Sequence, residues 1–91
     1  MRQIEYSSAF KKDYKKAKAT PRHRHEVDAL VEAAVGLLLD GKPPSRDHAL
    51  AGNWAGYREC HLKPDLLMIY SKPNTDTLRL ARLGSHSELF G

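Results

Sequence analysis

Cysteine is almost absent from this chain. The single Cys60 excludes an internal disulfide and leaves no cysteine pair for a zinc site, so a reducing compartment and a fold held by packing are expected. Long apolar runs are missing too. Nothing approaches the roughly 18 residues a spanning helix needs, and Met1–Tyr6 carries no apolar leader with a cleavage site, so the expected location is the cytoplasm, away from membranes. Acidic residues are scarce at one end only. In the first 24 residues Glu5 and Asp13 stand against eight Lys or Arg, a net of +6 within a chain total of +4. Such an end attracts polyanions by releasing their condensed counterions, whatever the base sequence. The plainer reading of a lysine run is a solvated helix face.

What is present bounds the architecture. With 91 residues, 41% apolar and 29% charged, the chain has material for one thin core, hence a single domain over residues 1–91. The stretch Gly41–Asp47, with Pro43 and Pro44, divides a helical half from a strand half. Residues 2–6 alternate as a short strand, and Ser7 or Ser8 is placed to cap a helix with Phe10, Tyr14 and Ala17 on one face and most lysines on the other. Thr20-Pro21 reads as the cap of a second helix, whose stripe is Val27, Leu30, Val31, Ala34, Val35 and Leu38 and whose C′ residue is Gly41. From Trp54 the period changes to two, giving strands over 54–62, 65–71 and 77–83. The expected fold is α+β: an N-terminal strand and a two-helix hairpin packed on one face of a small, mainly antiparallel four-stranded sheet, whose other face is open for a site.

Alternation in the first long strand puts Tyr57, Glu59, His61 and Lys63 on a polar side expected to face water, with Arg58, Cys60 and Leu62 opposite. For Arg82 the alternation leaves the direction open. Of five histidines, His23 and His25 read as surface residues, whereas His48, His61 and His86 lie on three separate elements able to converge. Convergence would suit cleavage of RNA by its own 2′-hydroxyl, which needs a base, an acid for the departing 5′-oxygen, and positive charge on the phosphorane. Histidine supplies the first two near neutral pH and arginine the third. Asp65 is placed to orient an imidazole or move a proton itself, although an aspartate after a proline is also a common turn residue. Zinc ranks below metal-free catalysis because no His pair has ligand spacing, and Cys60 reads as a buried structural residue. Phe90, four residues after His86, suits either base stacking or core packing.

The ordered set Asp47-His48-Ala49-Leu50, Gly52, Trp54, Gly56-Tyr57-Arg58, His61, Pro64-Asp65, Ile69-Tyr70, Arg82-Leu83-Gly84-Ser85-His86 and Leu89-Phe90 resembles the YafQ branch of the RelE/ParE toxin superfamily over nearly the whole chain. The resemblance implies a RelE-like fold and a type II toxin that enters the ribosomal A site against 16S rRNA and cuts translated mRNA without metal or cofactor. It implies neutralisation by a DinJ-like ribbon-helix-helix antitoxin, and operator DNA binding by that complex. On the matching positions it implies His48, His61, Asp65 and His86 as the acid/base set, with Arg82 on phosphate and Phe90 placing the RNA. The basic helix adds Lys11, Lys12, Lys15 and Lys16 as candidate RNA contacts. Ala49 and Leu83 depart from the family pattern, where proline and threonine are common; neither removes an acid/base group. The competing classes are a non-catalytic nucleic-acid-binding module and an antitoxin-binding corepressor.

Overall fold

Ser7 ends the first strand and starts the first helix in one residue. In the computed structural model, which describes residues 3–91, its side chain accepts from the Phe10 amide (2.9 Å) while its hydroxyl donates to the Ala81 carbonyl (2.7 Å). The cap therefore also ties the helix to the sheet. Strand β1 is Gln3–Tyr6 and helix α1 is Ser8–Ala19, with Phe10 and Ala17 buried and the lysines exposed. Arg2, the first residue of the expected strand, lies outside the described residues.

Helix α2, Val27–Leu39, buries Val27, Val31, Ala34, Val35 and Leu38, the stripe read from the sequence except for Leu30, which is half-buried at its edge. Its start differs from the Thr20-Pro21 expectation. The Thr20 hydroxyl donates backwards to the Lys16 carbonyl and the Thr20 amide to Ala17, so this residue closes α1 and caps no second helix. Residues 21–26 form successive turns, and His23, expected at the surface, goes inside at 6% exposure. At the far end the backbone reverses through Gly41 at φ 76°, a left-handed conformation that favours glycine.

The sheet has five strands, not four. Strands β2 (His48–Ala49), β3 (Arg58–Lys63), β4 (Leu66–Asn74) and β5 (Thr77–Gly84) join β1 in the order β1-β5-β4-β3-β2. All neighbours are antiparallel except β1 and β5, so the sheet is mixed. The additional strand is only two residues long, too short for periodicity to mark. Strand β3 starts at Arg58 because the preceding residues make a 3₁₀ turn at Gly52–Trp54 and return to the Leu50 amide through the Tyr57 carbonyl (2.9 Å).

One sheet face packs Cys60, Leu66, Met68, Tyr70, Leu78, Leu80 and Leu83 against α1 and α2. The other, expected to be open, carries a smaller core of Leu67, Ile69, Ala81 and Leu89, flanked by Leu50, Trp54, Tyr57 and Phe90. Leu89 belongs to helix α3, His86–Phe90, which crosses this second face. At the edge of that cover, the elements carrying His48, His61 and His86 meet.

Candidate active site

The β2–β3 register sets His48 opposite Glu59. Just before His48, Asp47 accepts hydrogen bonds from Arg58 Nε (3.0 Å) and from the Tyr70 hydroxyl (2.7 Å), and its side chain is buried. The Tyr70 proton is held above its ordinary pKa by burial first and by the Asp47 bond second. These contacts pin the strand that carries the histidine. Arg46, in the left-handed region at φ 52°, presents its carbonyl to His48 Nδ1 at 3.1 Å. On the other side of the ring, His48 Nε2 lies 2.6 Å from Glu59 Oε1. A neutral imidazole satisfies one of these acceptors, and a charged imidazole both.

Glu59 overturns the expectation of a water-facing polar side on β3. It is 6% exposed and sits between two histidines, with His61 Nε2 3.8 Å from the same Oε1. The His48 and His61 rings are 6.5 Å apart, and His61 Nδ1 is buried with no hydrogen-bond partner among the described residues. Sequence reasoning missed Glu59. Its place two residues before His61 on one strand face was visible, but its burial comes from β2 closing over it.

Helix α3 begins at His86 and ends at Phe90, and their rings meet in a tilted contact at 5.0 Å and 47°. A recess of about 390 Å³ is lined by His48, Leu50, Ala51, Trp54, Glu59, His86 and Phe90. One wall therefore carries a buried carboxylate beside an exposed imidazole, and the other an exposed imidazole beside an aromatic ring. Such a space suits a nucleotide whose sugar-phosphate reaches both walls. His61 opens on an adjoining recess with Ser45, Arg46 and Lys63.

The remaining predicted residues lie elsewhere. Asp65 is on the β3–β4 turn, where its carboxylate pairs with Arg22 at 3.0 Å. Arg82, whose direction alternation left open, turns towards α1 and makes a forked contact with Asp13 (2.7 and 3.3 Å). Asp13 also accepts from the Leu83 amide at 3.0 Å, occupying the edge of β5 beyond the last β1 pair. Lys16 reaches Glu88 Oε2 at 2.5 Å. That bond, followed by the Ser85 backbone amide, holds the Glu88 carboxyl down at about 2. Arg22, Arg82, Lys16, Asp13 and Glu88 line a second recess, also about 390 Å³, in which His23 Nδ1 is buried without a partner among the described residues. Lys11, Lys12 and Lys15 are exposed. Burial pushes the Cys60 thiol up to about 12, as suits an inert core residue.

The fold that carries these residues, a mixed sheet under two helices, is shared with known proteins. Residues 2–91 match a family model described as bacterial toxin of type II toxin-antitoxin system, YafQ. The class is thus the toxin of a type II toxin-antitoxin system. The mRNA interferase toxin YafQ of Escherichia coli K12 is 37% identical over 90 residues, spanning 99% of this chain and 97% of its own. The crystal structure of YafQ from E. coli BL21(DE3) superposes over the full length of both chains with TM-score 0.83 at 36% identity, and the E. coli DinJ–YafQ complex with TM-score 0.82 at 37% identity over the same coverage. This chain belongs to the YafQ family.

Proposed function

We propose that this chain is an mRNA interferase, an endoribonuclease that cuts translated mRNA in the ribosomal A site by metal-free acid/base chemistry. The observation that carries the reading is the recess with Glu59 and His48 on one wall, 2.6 Å apart, and His86 on the other. In this reading the Glu59/His48 pair takes the proton of the 2′-hydroxyl. The oxygen attacks the adjacent phosphorus, the bond to the 5′-oxygen breaks, and His86 gives that oxygen its proton. The products are a 2′,3′-cyclic phosphate and a 5′-hydroxyl. A buried carboxylate that keeps its proton-exchange partner 2.6 Å away activates a hydroxyl without a Lewis acid.

His61 shares Glu59 and keeps its carboxylate oriented. Phe90 stacks on a base beside His86. Arg82 pairs with Asp13 and enters the reaction by exchanging it for a phosphate, which fits the guanidinium fork that Asp13 now occupies; Asp65, paired with Arg22, enters by accepting from an imidazole or a ribose hydroxyl. Lys11, Lys12 and Lys15 line the basic helix face towards the ribosomal and messenger RNA. Because the E. coli family member forms a complex with DinJ, a DinJ-like antitoxin is the expected inhibitor, and their complex the expected operator-binding species.

The test is primer extension on a translated message with wild type, Glu59→Gln and His86→Ala. Wild type should give discrete cuts, and each variant should lose roughly 100-fold or more in cleavage rate. Equal cutting by all three overturns the catalytic reading. Binding to the ribosome with no cleavage by wild type favours a non-catalytic module.

A further inference from the structure

Helix α3 carries two of the residues assigned to the reaction, yet it has only five residues, too few to hold helical structure by itself. His86 makes no side-chain hydrogen bond among the described residues, so its place depends on how α3 is anchored. Three contacts do this. Leu89 is buried against Leu67, Ile69 and Ala81. The Ser85 hydroxyl accepts from the Glu88 amide at 3.2 Å, while Glu88 Oε1 accepts from the Ser85 amide at 2.9 Å, a reciprocal capping box. The other carboxylate oxygen of Glu88 accepts from Lys16 of α1 at 2.5 Å. Gly84 leaves room for this carboxylate, since a Cβ there would come within 3.2 Å of Glu88 Oε1.

We propose that Glu88 is a positioning residue for the ribonuclease reaction: its carboxylate fixes α3, and with it His86 and Phe90, to the basic helix α1 through Lys16. This rests on the ribonuclease reading given above. The Lys16–Glu88 pair is exposed, with side chains 69% and 42% accessible, and exposed pairs add little global stability. Its consequence is local orientation. Lys16 thereby differs from Lys12 and Lys15, which form no ion pair among the described residues. Lys16 acts on the rate of the chemical step, and its neighbours on how tightly RNA is held.

The two contributions of Glu88 are separable. Glutamine preserves the capping box and removes the charge pair; alanine removes both. In single-turnover cleavage of mRNA on programmed ribosomes, Glu88→Ala should lower the maximal rate about tenfold, with the half-saturating toxin concentration unchanged within about twofold. Glu88→Gln should recover the capping-box share of that loss and keep the Lys16 share, a maximal rate about threefold below wild type. Lys16→Met should match Glu88→Gln, and the double variant should be no worse than either, because both remove one interaction. Lys12→Met and Lys15→Met should shift half-saturation and leave the maximal rate alone. Amide exchange at Leu89 should accelerate in Glu88→Ala while the Tm stays within about 2 °C.

An unchanged maximal rate in both Glu88→Ala and Lys16→Met overturns the positioning role, as does a Lys16→Met effect confined to half-saturation. The controls separate the two readings. His86→Ala cutting like wild type removes the ribonuclease reading and the role of Glu88 with it. His86→Ala inactive beside a fully active Glu88→Ala removes the positioning role alone.

Discussion

Two recesses of similar volume flank α3, and they treat charge in opposite ways. In the one towards α1, Arg82 faces Asp13 and Lys16 faces Glu88, and Arg22 at its rim faces Asp65. In the one towards β2, a single buried carboxylate serves two histidines, and His86 stands across from them without a hydrogen bond among the described residues. Fixed pairs of permanent charges hold elements in place. A carboxylate with surplus imidazoles leaves protons able to move, which chemistry near neutral pH needs. In the proposed reading the first recess keeps its Arg, Lys, Asp and Glu charges paired until RNA arrives, and the second moves protons between a carboxylate and imidazoles.

The largest expected effect would break that assignment most directly. If Glu59 and His48 work as one unit, then His48→Ala and Glu59→Gln should each lower cleavage by roughly 100-fold or more, and the double variant little further. Multiplicative losses, measured by single-turnover kinetics, would mean that the two act separately. Next, Asp47→Ala strands the buried Tyr70 hydroxyl and frees Arg58, and should cost about 2 kcal/mol in urea unfolding while lowering cleavage by loosening β2. Full activity in that variant would show that His48 needs no such anchor.

Across the helix, Asp13→Ala should cost about 1 kcal/mol by the same measurement, because its partner Arg82 is 30% exposed and water replaces part of the bond. A larger loss than at Asp47 would reverse the comparison. The pH response sharpens it further. The Glu88 carboxyl lies below its ordinary 4.5, at about 2, so its contribution is complete above about 4.5 and fades as pH falls towards 2. Leu89 amide protection, followed by NMR, should decline over that window; a flat profile would deny the Lys16–Glu88 bond a role in docking α3. The smallest effect concerns Cys60. With its thiol pushed up to about 12, it should resist alkylation at pH 8 until the chain unfolds.

Periodicity and capping chemistry made much of the molecule legible in the chain itself. The stripe from Val27 to Leu38, the Ser7 cap, the Gly41 turn and the three long strands follow from local rules that the structure obeys. The Thr20 hydroxyl illustrates where such rules stop, since it had two helices to choose between and bonded the one behind it. For the site, the ordered spacing from Asp47 to Phe90 singled out His48, His61 and His86, which the fold gathers around one end of the sheet. Glu59 escaped notice because a two-residue strand has no period to detect, and its pairing with His48 arises only when distant segments meet.

The sequence by itself therefore determined the long elements and named candidate site residues, because those depend on neighbours within a few positions; the two-residue strand β2 and the short helix α3 lay beyond it. The tertiary structure alone decided which charges are paired and which are left to exchange protons. It turned Arg82 to Asp13, placed Asp65 against Arg22, and buried Glu59 between two imidazoles. Partner choice among charged side chains is set by strand register and by the approach of α1 to β5, contacts between residues up to about seventy positions apart that no local pattern encodes.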